Sequence, residues 1–225
     1  MTAQLAFNLG HRPALGADNF LIAPCNQDAV AWLDQWPEWP APALILHGPR
    51  RCGKTHLAHV WQNRTEAKFI SAEELSNHSP YEILENANTC ILDNWETAGL
   101  DQTALLHLYN AAHDTNGHIL ITSNKPPSIW AFTLNDLRSR LVAAPAVGVG
   151  APDDSVLGAV LLKLFLDRQL RVEPGVLSYI IMRMERSFVA ANAIVAALDN
   201  AGLAARRGIT IPLARDILGR LNTNK

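Results

Sequence analysis

Ala43-Leu44-Ile45-Leu46-His47-Gly48-Pro49-Arg50-Arg51-Cys52-Gly53-Lys54-Thr55 reads as a short buried strand, a glycine-bounded loop and the start of a helix. The spacing Gly48-x4-Gly53-Lys54-Thr55 is that of a phosphate-binding loop. Successive backbone N–H groups must curl around phosphate oxygens, and glycine permits the curl without a Cβ clash. The helix N-terminus adds the positive end of its dipole. In this frame Lys54 reaches the β/γ-phosphates as a point charge, and the Thr55 hydroxyl is a ligand for Mg²⁺. Pro49, Arg50, Arg51, Cys52 and His56 fill out the loop and first turn, and join Gly48 and Gly53 as nucleotide-binding candidates. A chance match in an ordinary strand–turn–helix is the alternative. The apolar strand and the amphipathic helix over 55–62, each in its proper place, argue against it. The expected ligand is a nucleoside di- or triphosphate.

The chain has 225 residues, 48% of them hydrophobic and 18% charged, with net charge −2. That is an ordinary globular composition with room for one large or two modest domains. The charge balance does not favour autonomous nucleic-acid binding, which normally needs a basic face. Arg183, Arg186, Arg206, Arg207, Arg215 and Arg220 cluster toward the C-terminus and read mostly as solvated helical surface. Cys25, Cys52 and Cys90 show no paired spacing, so reduced thiols in the cytoplasm are expected. Cys52, near a helix N-terminus, is read as a small residue that fits rather than a reactive thiol. No signal peptide and no membrane span are expected; the apolar stretch 156–165 is too short and carries Lys163.

Outward from the loop, the N-terminal stretch places Gln4 beside alternating Leu5, Phe7 and Leu9. This is either a linear peptide that docks into a partner's groove or an arm that packs on its own domain. Phe20 and Ile22 either line an adenine pocket or sit in the core. A helix over 26–36 ends at the proline-rich connector 36–42. Beyond the loop helix, 67–70 reads as a strand, followed by helical stretches at 72–75 and 81–86. The strand 89–94 is apolar along its run and presents Asp93, the position for a Mg²⁺ ligand in phosphate-loop ATPases. After a helix over 101–113, the strand 118–124 ends on Asn124. That amide either orients an attacking water or belongs to an ordinary turn. The helix 134–141 turns Leu134, Leu137 and Leu141 inward and puts Arg138 and Arg140 on other faces. These arginines are either salt-bridged surface residues or include an arginine finger offered to a neighbour's nucleotide. Residues 143–153 lack periodicity and mark a boundary. Helical patterns over 154–169, 174–184, 186–204 and 210–221 then make a small bundle.

Taken together, these motifs resemble the AAA+ ATPases of the DnaA branch, and within it the regulatory inactivators of the replication initiator. The likeness rests on Gln4-Leu5-x-Phe7-x-Leu9, the phosphate loop, Ile91-Leu92-Asp93-Asn94, Leu120 to Pro127, Asp136 to Leu141, and Ile209 to Leu218. It implies an α/β AAA+ P-loop NTPase base, a parallel sheet with flanking helices, over 11–149. A small all-α lid over 150–225 follows, and 1–10 is the clamp-binding peptide. It implies ADP or ATP with Mg, and a dock for Gln4, Leu5, Phe7 and Leu9 on the DNA sliding clamp, the DNA polymerase III beta subunit. It also implies that Arg140 acts as the finger on ATP held by the initiator DnaA. DNA is then met only through the clamp, and no membrane is involved.

The resemblance sets the adaptor apart from the initiator by three expectations. No helix-turn-helix domain is expected beyond Lys225, and no helicase-contact domain before the peptide. Asn94 stands where the initiator's motif carries a second acid, so intrinsic hydrolysis is expected to be weak. The lid arginine that faces phosphates in this family aligns with Val189, with Arg186 one turn earlier as its substitute. A helicase loader resembling DnaC, or another motor ATPase with its own cycle, is the competing reading. A small-molecule kinase is remote, because 71–88 offers no acceptor-binding pattern.

Overall fold

The computed structural model describes residues 22–85, 87–95, 101–205 and 208–223. The chain divides after Gly150 into two compact units, with Arg51–Gly53 grouped with the second.

In the first unit the apolar runs become a parallel sheet of β1 (Ala43–His47), β2 (Lys68–Phe69), β3 (Thr89–Leu92), β4 (His118–Ser123) and β5 (Ala146–Gly148). The order is β2-β3-β4-β1-β5, and every pairing is parallel. Parallel strands buried on both faces read as continuous apolar runs, and β1, β3 and β4 do so. Ala43, Ile45, Cys90, Leu92, Ile119 and Ile121 share one core with Leu105, Leu108, Leu137 and Leu141. The helices α3 (Ala72–Asn77), α4 (Pro80–Leu84), α5 (Gln102–Asp114) and α6 (Asn135–Ala143) cover that face. Leu44, Leu46, Ile91 and Leu120 alternate to the opposite face, where α2 (Lys54–Thr65) packs on β3 and β4. The helix α1 (Gln27–Asp34) lies against β5.

Capping sets several of these starts. Ser71 and Glu74 form a reciprocal capping box on α3, and Asp101 accepts from the amides of Thr103 and Ala104 to open α5.

The strand expected over 67–70 shortens to Lys68–Phe69, and the one expected over 118–124 stops at Ser123, one residue before Asn124. Two further strands depart more from the sequence reading. The segment 143–153, expected to be an aperiodic boundary, contains β5. Three residues with only Val147 buried are too short to show a period. The strand expected over 89–94 stops at Leu92. Asn94 takes φ +52°, a left-handed conformation that Asn tolerates and that breaks the extended run.

The second unit is helical: α7 (Asp154–Asp167), α8 (Pro174–Ile181), α9 (Phe188–Ala205) and α10 (Ile211–Thr223). Asp153 caps α7 by accepting from the Val156 amide at 2.8 Å. Pro174 opens α8 at a position where its missing N–H is not needed. Leu157, Leu161, Phe165, Ile180, Ala191, Val195 and Leu198 are fully buried. No described helix is long and apolar enough to cross a membrane.

Candidate nucleotide site

The sheet order places the C-terminal ends of β1, β3 and β4 side by side, and ligands bind at such ends where strand order reverses. The register Leu46↔Thr122 and Leu92↔Ile121 brings Gly48, Asp93 and Asn124 to one edge. This juxtaposition is a consequence of topology, because the three residues are far apart in sequence.

Gly53 adopts φ +110°, open to glycine and strained for an L side chain, and Arg51 takes φ +65°. Lys54 starts α2 and is 4% exposed. Its ammonium donates to the carbonyls of Gly48 at 2.8 Å and Pro49 at 2.9 Å, and lies 3.5 Å from Asn124 Oδ1. A buried cation needs such partners, and carbonyl dipoles supply them. Here the loop carbonyls hold the charge at the place the motif assigns to it.

Thr55 Oγ1 donates to Asp93, 2.9 Å from Oδ2 and 3.2 Å from Oδ1. The Thr122 hydroxyl donates to Asp93 Oδ1 at 2.5 Å and accepts the Asn94 amide N–H at 2.8 Å. Asn94 Nδ2 donates to Asp93 Oδ2 at 3.1 Å. The carboxylate therefore has three side-chain donors around it. A hydroxyl and a carboxylate oxygen within 3 Å form the hard-oxygen set that suits Mg²⁺, so these residues fit that ion. His47, at the end of β1, has its pKa lowered by burial and then by the Lys54 ammonium.

The remaining candidates divide. Arg50, Arg51 and His56 are exposed, Cys52 is buried, and Ile22 is half-buried. None of the three cysteines forms a disulfide. In the second unit Arg186 pairs with Asp154 at 3.0 Å, and Val189 is 64% exposed. Gln4, Leu5, Phe7, Leu9 and Phe20 lie outside the described residues.

The two arginines of α6 sit on different faces. Arg138 lines an open groove with Asn135, Ser139, Val142 and Ala143. Arg140 pairs with Asp136 through Nε–Oδ1 at 3.0 Å, and its Cζ lies 5.6 Å from the centre of the Tyr109 ring. Burial raises the Tyr109 pKa, and the nearby guanidinium partly opposes the rise. Of the two descriptions weighed from sequence, the structure shows the first for Arg140, a salt-bridged surface residue.

Sequence reasoning missed Thr122 as the partner of Asp93. The signal was the first polar side chain after the apolar run Ile119-Leu120-Ile121, which the structure buries fully beside the carboxylate's strand. Asp136 and Tyr109 were missed as neighbours of Arg140. The i,i+4 spacing exposes the first, but the second depends on how α5 packs on α6.

The family described as the Hda lid domain matches residues 159–218. The chromosomal replication initiator protein DnaA of Clavibacter sepedonicus is 28% identical over 191 residues, 74% of this chain and 40% of that protein. The chain thus spans about 40% of the length of that relative. Domain III of Thermotoga maritima DnaA superposes with TM-score 0.76 at 17% identity, covering 93% of this chain and 97% of the other. AMPPCP-bound DnaA from Aquifex aeolicus gives TM-score 0.70 at 16% identity, over 88% and 68%. The fold is that of an AAA+ base with a helical lid.

Proposed function

Because the chain is a DnaA-related AAA+ protein of the Hda type, we propose that it is a replication regulator acting on the ATP-bound initiator. It binds ADP or ATP with Mg²⁺ at the phosphate loop, and Gln4, Leu5, Phe7 and Leu9 dock it on the DNA sliding clamp. Arg140 completes the catalytic pocket of the initiator DnaA. Hydrolysis there leaves an ADP-bound initiator that does not fire again. A trans arginine raises the rate by about 10³–10⁵ in better-studied nucleotide hydrolases. That range is ample for a switch.

In the chain's own site, Gly48, Gly53 and Lys54 hold the phosphates, and Thr55 and Asp93 hold the metal. The metal, when bound, neutralises phosphate charge. Asn124, 3.5 Å from the Lys54 ammonium, is in range to orient a water or a phosphate oxygen. Asn94 is an amide and does not abstract a proton, which supports weak intrinsic turnover. A nucleotide-bound adaptor with little hydrolysis of its own follows.

The observation that carries the proposal is the state of Arg140. It sits in the last turn of α6, holds only Asp136 and the Tyr109 ring among the described residues, and makes no bond to Lys54, Thr55, Asp93 or Asn124. Its terminal nitrogens are unused by the chain's own site. The competing reading, a loader or motor resembling DnaC, needs brisk self-hydrolysis.

The test is an initiator ATPase assay on clamp-loaded DNA. It compares wild type with Arg140→Ala and with Gln4→Ala/Leu5→Ala. Each variant is expected to bind nucleotide normally and fail to stimulate. Full stimulation by Arg140→Ala removes the finger assignment, and rapid turnover by the isolated protein favours the motor.

A further inference from the structure

Arg140 meets its neighbours through one edge and leaves its far end unused. A guanidinium carries five N–H donors in a rigid planar fork. The Nε–H goes to Asp136 Oδ1 at 3.0 Å, one turn earlier on α6. The two terminal nitrogens carry no hydrogen bond among the described residues. Tyr109 on α5 is only 6% exposed, so its ring, 5.6 Å from Cζ, is a fixed wall within cation–π range. Asp136 is 58% exposed and Arg140 35% exposed. An exposed i,i+4 pair of this kind contributes little to stability.

We propose that Asp136 and Tyr109 are positioning residues for Arg140. The carboxylate fixes the Nε edge and the ring fixes where the guanidinium rests, so the terminal fork is ordered before it meets a phosphate. The proposal rests on the reading of Arg140 as a finger acting on nucleotide held by a partner. A long side chain loses rotamer freedom when it is immobilised at an interface. Ordering it during folding removes that loss from the catalytic encounter. Fork geometry also explains why Asp136 takes Nε and leaves the terminal pair, which matches a phosphoryl group bidentately.

Two readouts on the full chain test this. The first is solvent exchange of the Arg140 Nε–H, followed by side-chain ¹⁵N NMR. The second is stimulated hydrolysis of initiator-bound ATP on clamp-loaded DNA, with the maximal rate separated from the half-saturating concentration. Asp136→Ala is expected to speed the exchange and lower the maximal rate roughly two- to tenfold, the size of one lost side-chain ordering step. The half-saturating concentration should stay put. Tyr109→Phe, which keeps the ring, should match wild type, and Tyr109→Leu should resemble Asp136→Ala. Asp136→Asn keeps an oxygen acceptor near Nε and should fall between wild type and Asp136→Ala. It serves as the second variant should the alanine protein unfold.

Unchanged exchange in Asp136→Ala overturns the proposal. So does a maximal rate equal to or above wild type, which would make the carboxylate a competitor that holds the finger back. Failure of wild type to stimulate at all is a different outcome. It removes the trans-acting reading, and the positioning role goes with it.

Discussion

The Thr122 hydroxyl donates to the Asp93 carboxylate at 2.5 Å and in the same position accepts the Asn94 amide at 2.8 Å. One buried side chain on β4 thereby fixes both the metal-ligand candidate and the left-handed turn that follows it. Thr122→Val keeps the shape and removes both bonds. The Asn94 N–H then loses its partner in a part-buried bond, a loss of about 0.5–1.5 kcal/mol. Urea unfolding is expected to show a lower midpoint with unchanged slope. Mg²⁺-dependent nucleotide binding should weaken in the same variant. An unshifted midpoint would contradict this account of the turn.

Lys54 is buried among the carbonyls of Gly48 and Pro49. The same position suits a phosphate, so ligand and loop share one cation. A ligand that binds only the folded chain stabilises it by about 2.7 kcal/mol at a hundred times its dissociation constant. ADP with Mg²⁺ is expected to raise the melting temperature of wild type and not that of Lys54→Ala. Differential scanning fluorimetry with and without ADP measures it directly. A full ADP shift in Lys54→Ala would move the nucleotide elsewhere.

Much of this site was legible because its parts are local. Gly48, Gly53, Lys54 and Thr55 fall within eight residues whose spacing has one economical reading. The strands β1, β3 and β4 were legible for a similar reason, since burial on both faces makes each an unbroken apolar run. β5 carried no such signal, because an edge strand of three residues with one buried side chain has no period to detect. Thr122 and Tyr109 were missed because their importance comes from pairing register and helix packing. Thr122 meets Asp93 only once β3 and β4 align, and Tyr109 meets Arg140 only once α5 lies on α6.

Burial lowers the pKa of His118, which lies edge-on to Trp36 and Trp39; a backbone hydrogen bond at Pro37 opposes the shift in part. Trp61 stacks on Trp39 at 5.4 Å. The unfolded chain titrates this imidazole near the usual value of about 6.5, above the folded chain. Between the two values the unfolded state binds more protons, so stability falls as pH drops through that window. It levels off below the folded pKa and is flat above the unfolded one. His47 shifts in the same direction, so His118→Phe should flatten the profile only in part. Melting temperature from pH 8 to 5.5, with tryptophan fluorescence as the local probe, reads it. A stability that rises on acidification would reverse the assignment.

Asn94 donates its side-chain amide to Asp93 Oδ2 at 3.1 Å and sits at φ +52°. Asp tolerates that backbone conformation nearly as well as Asn, so Asn94→Asp is a chemical change rather than a conformational one. It replaces a donor to the carboxylate with a second carboxylate beside it. Without metal, the pair of like charges should destabilise the turn and raise the pKa of the pair. Mg²⁺ relieves the repulsion, so thermal stability should become more dependent on Mg²⁺ than in wild type. The second acid also supplies a base that the amide lacks, and intrinsic ATP turnover is expected to rise. Melting curves with Mg²⁺ or a chelator check the first effect, and phosphate release by the isolated chain checks the second. If turnover stays flat while the Mg²⁺ dependence appears, the weak hydrolysis proposed for this chain does not originate in Asn94.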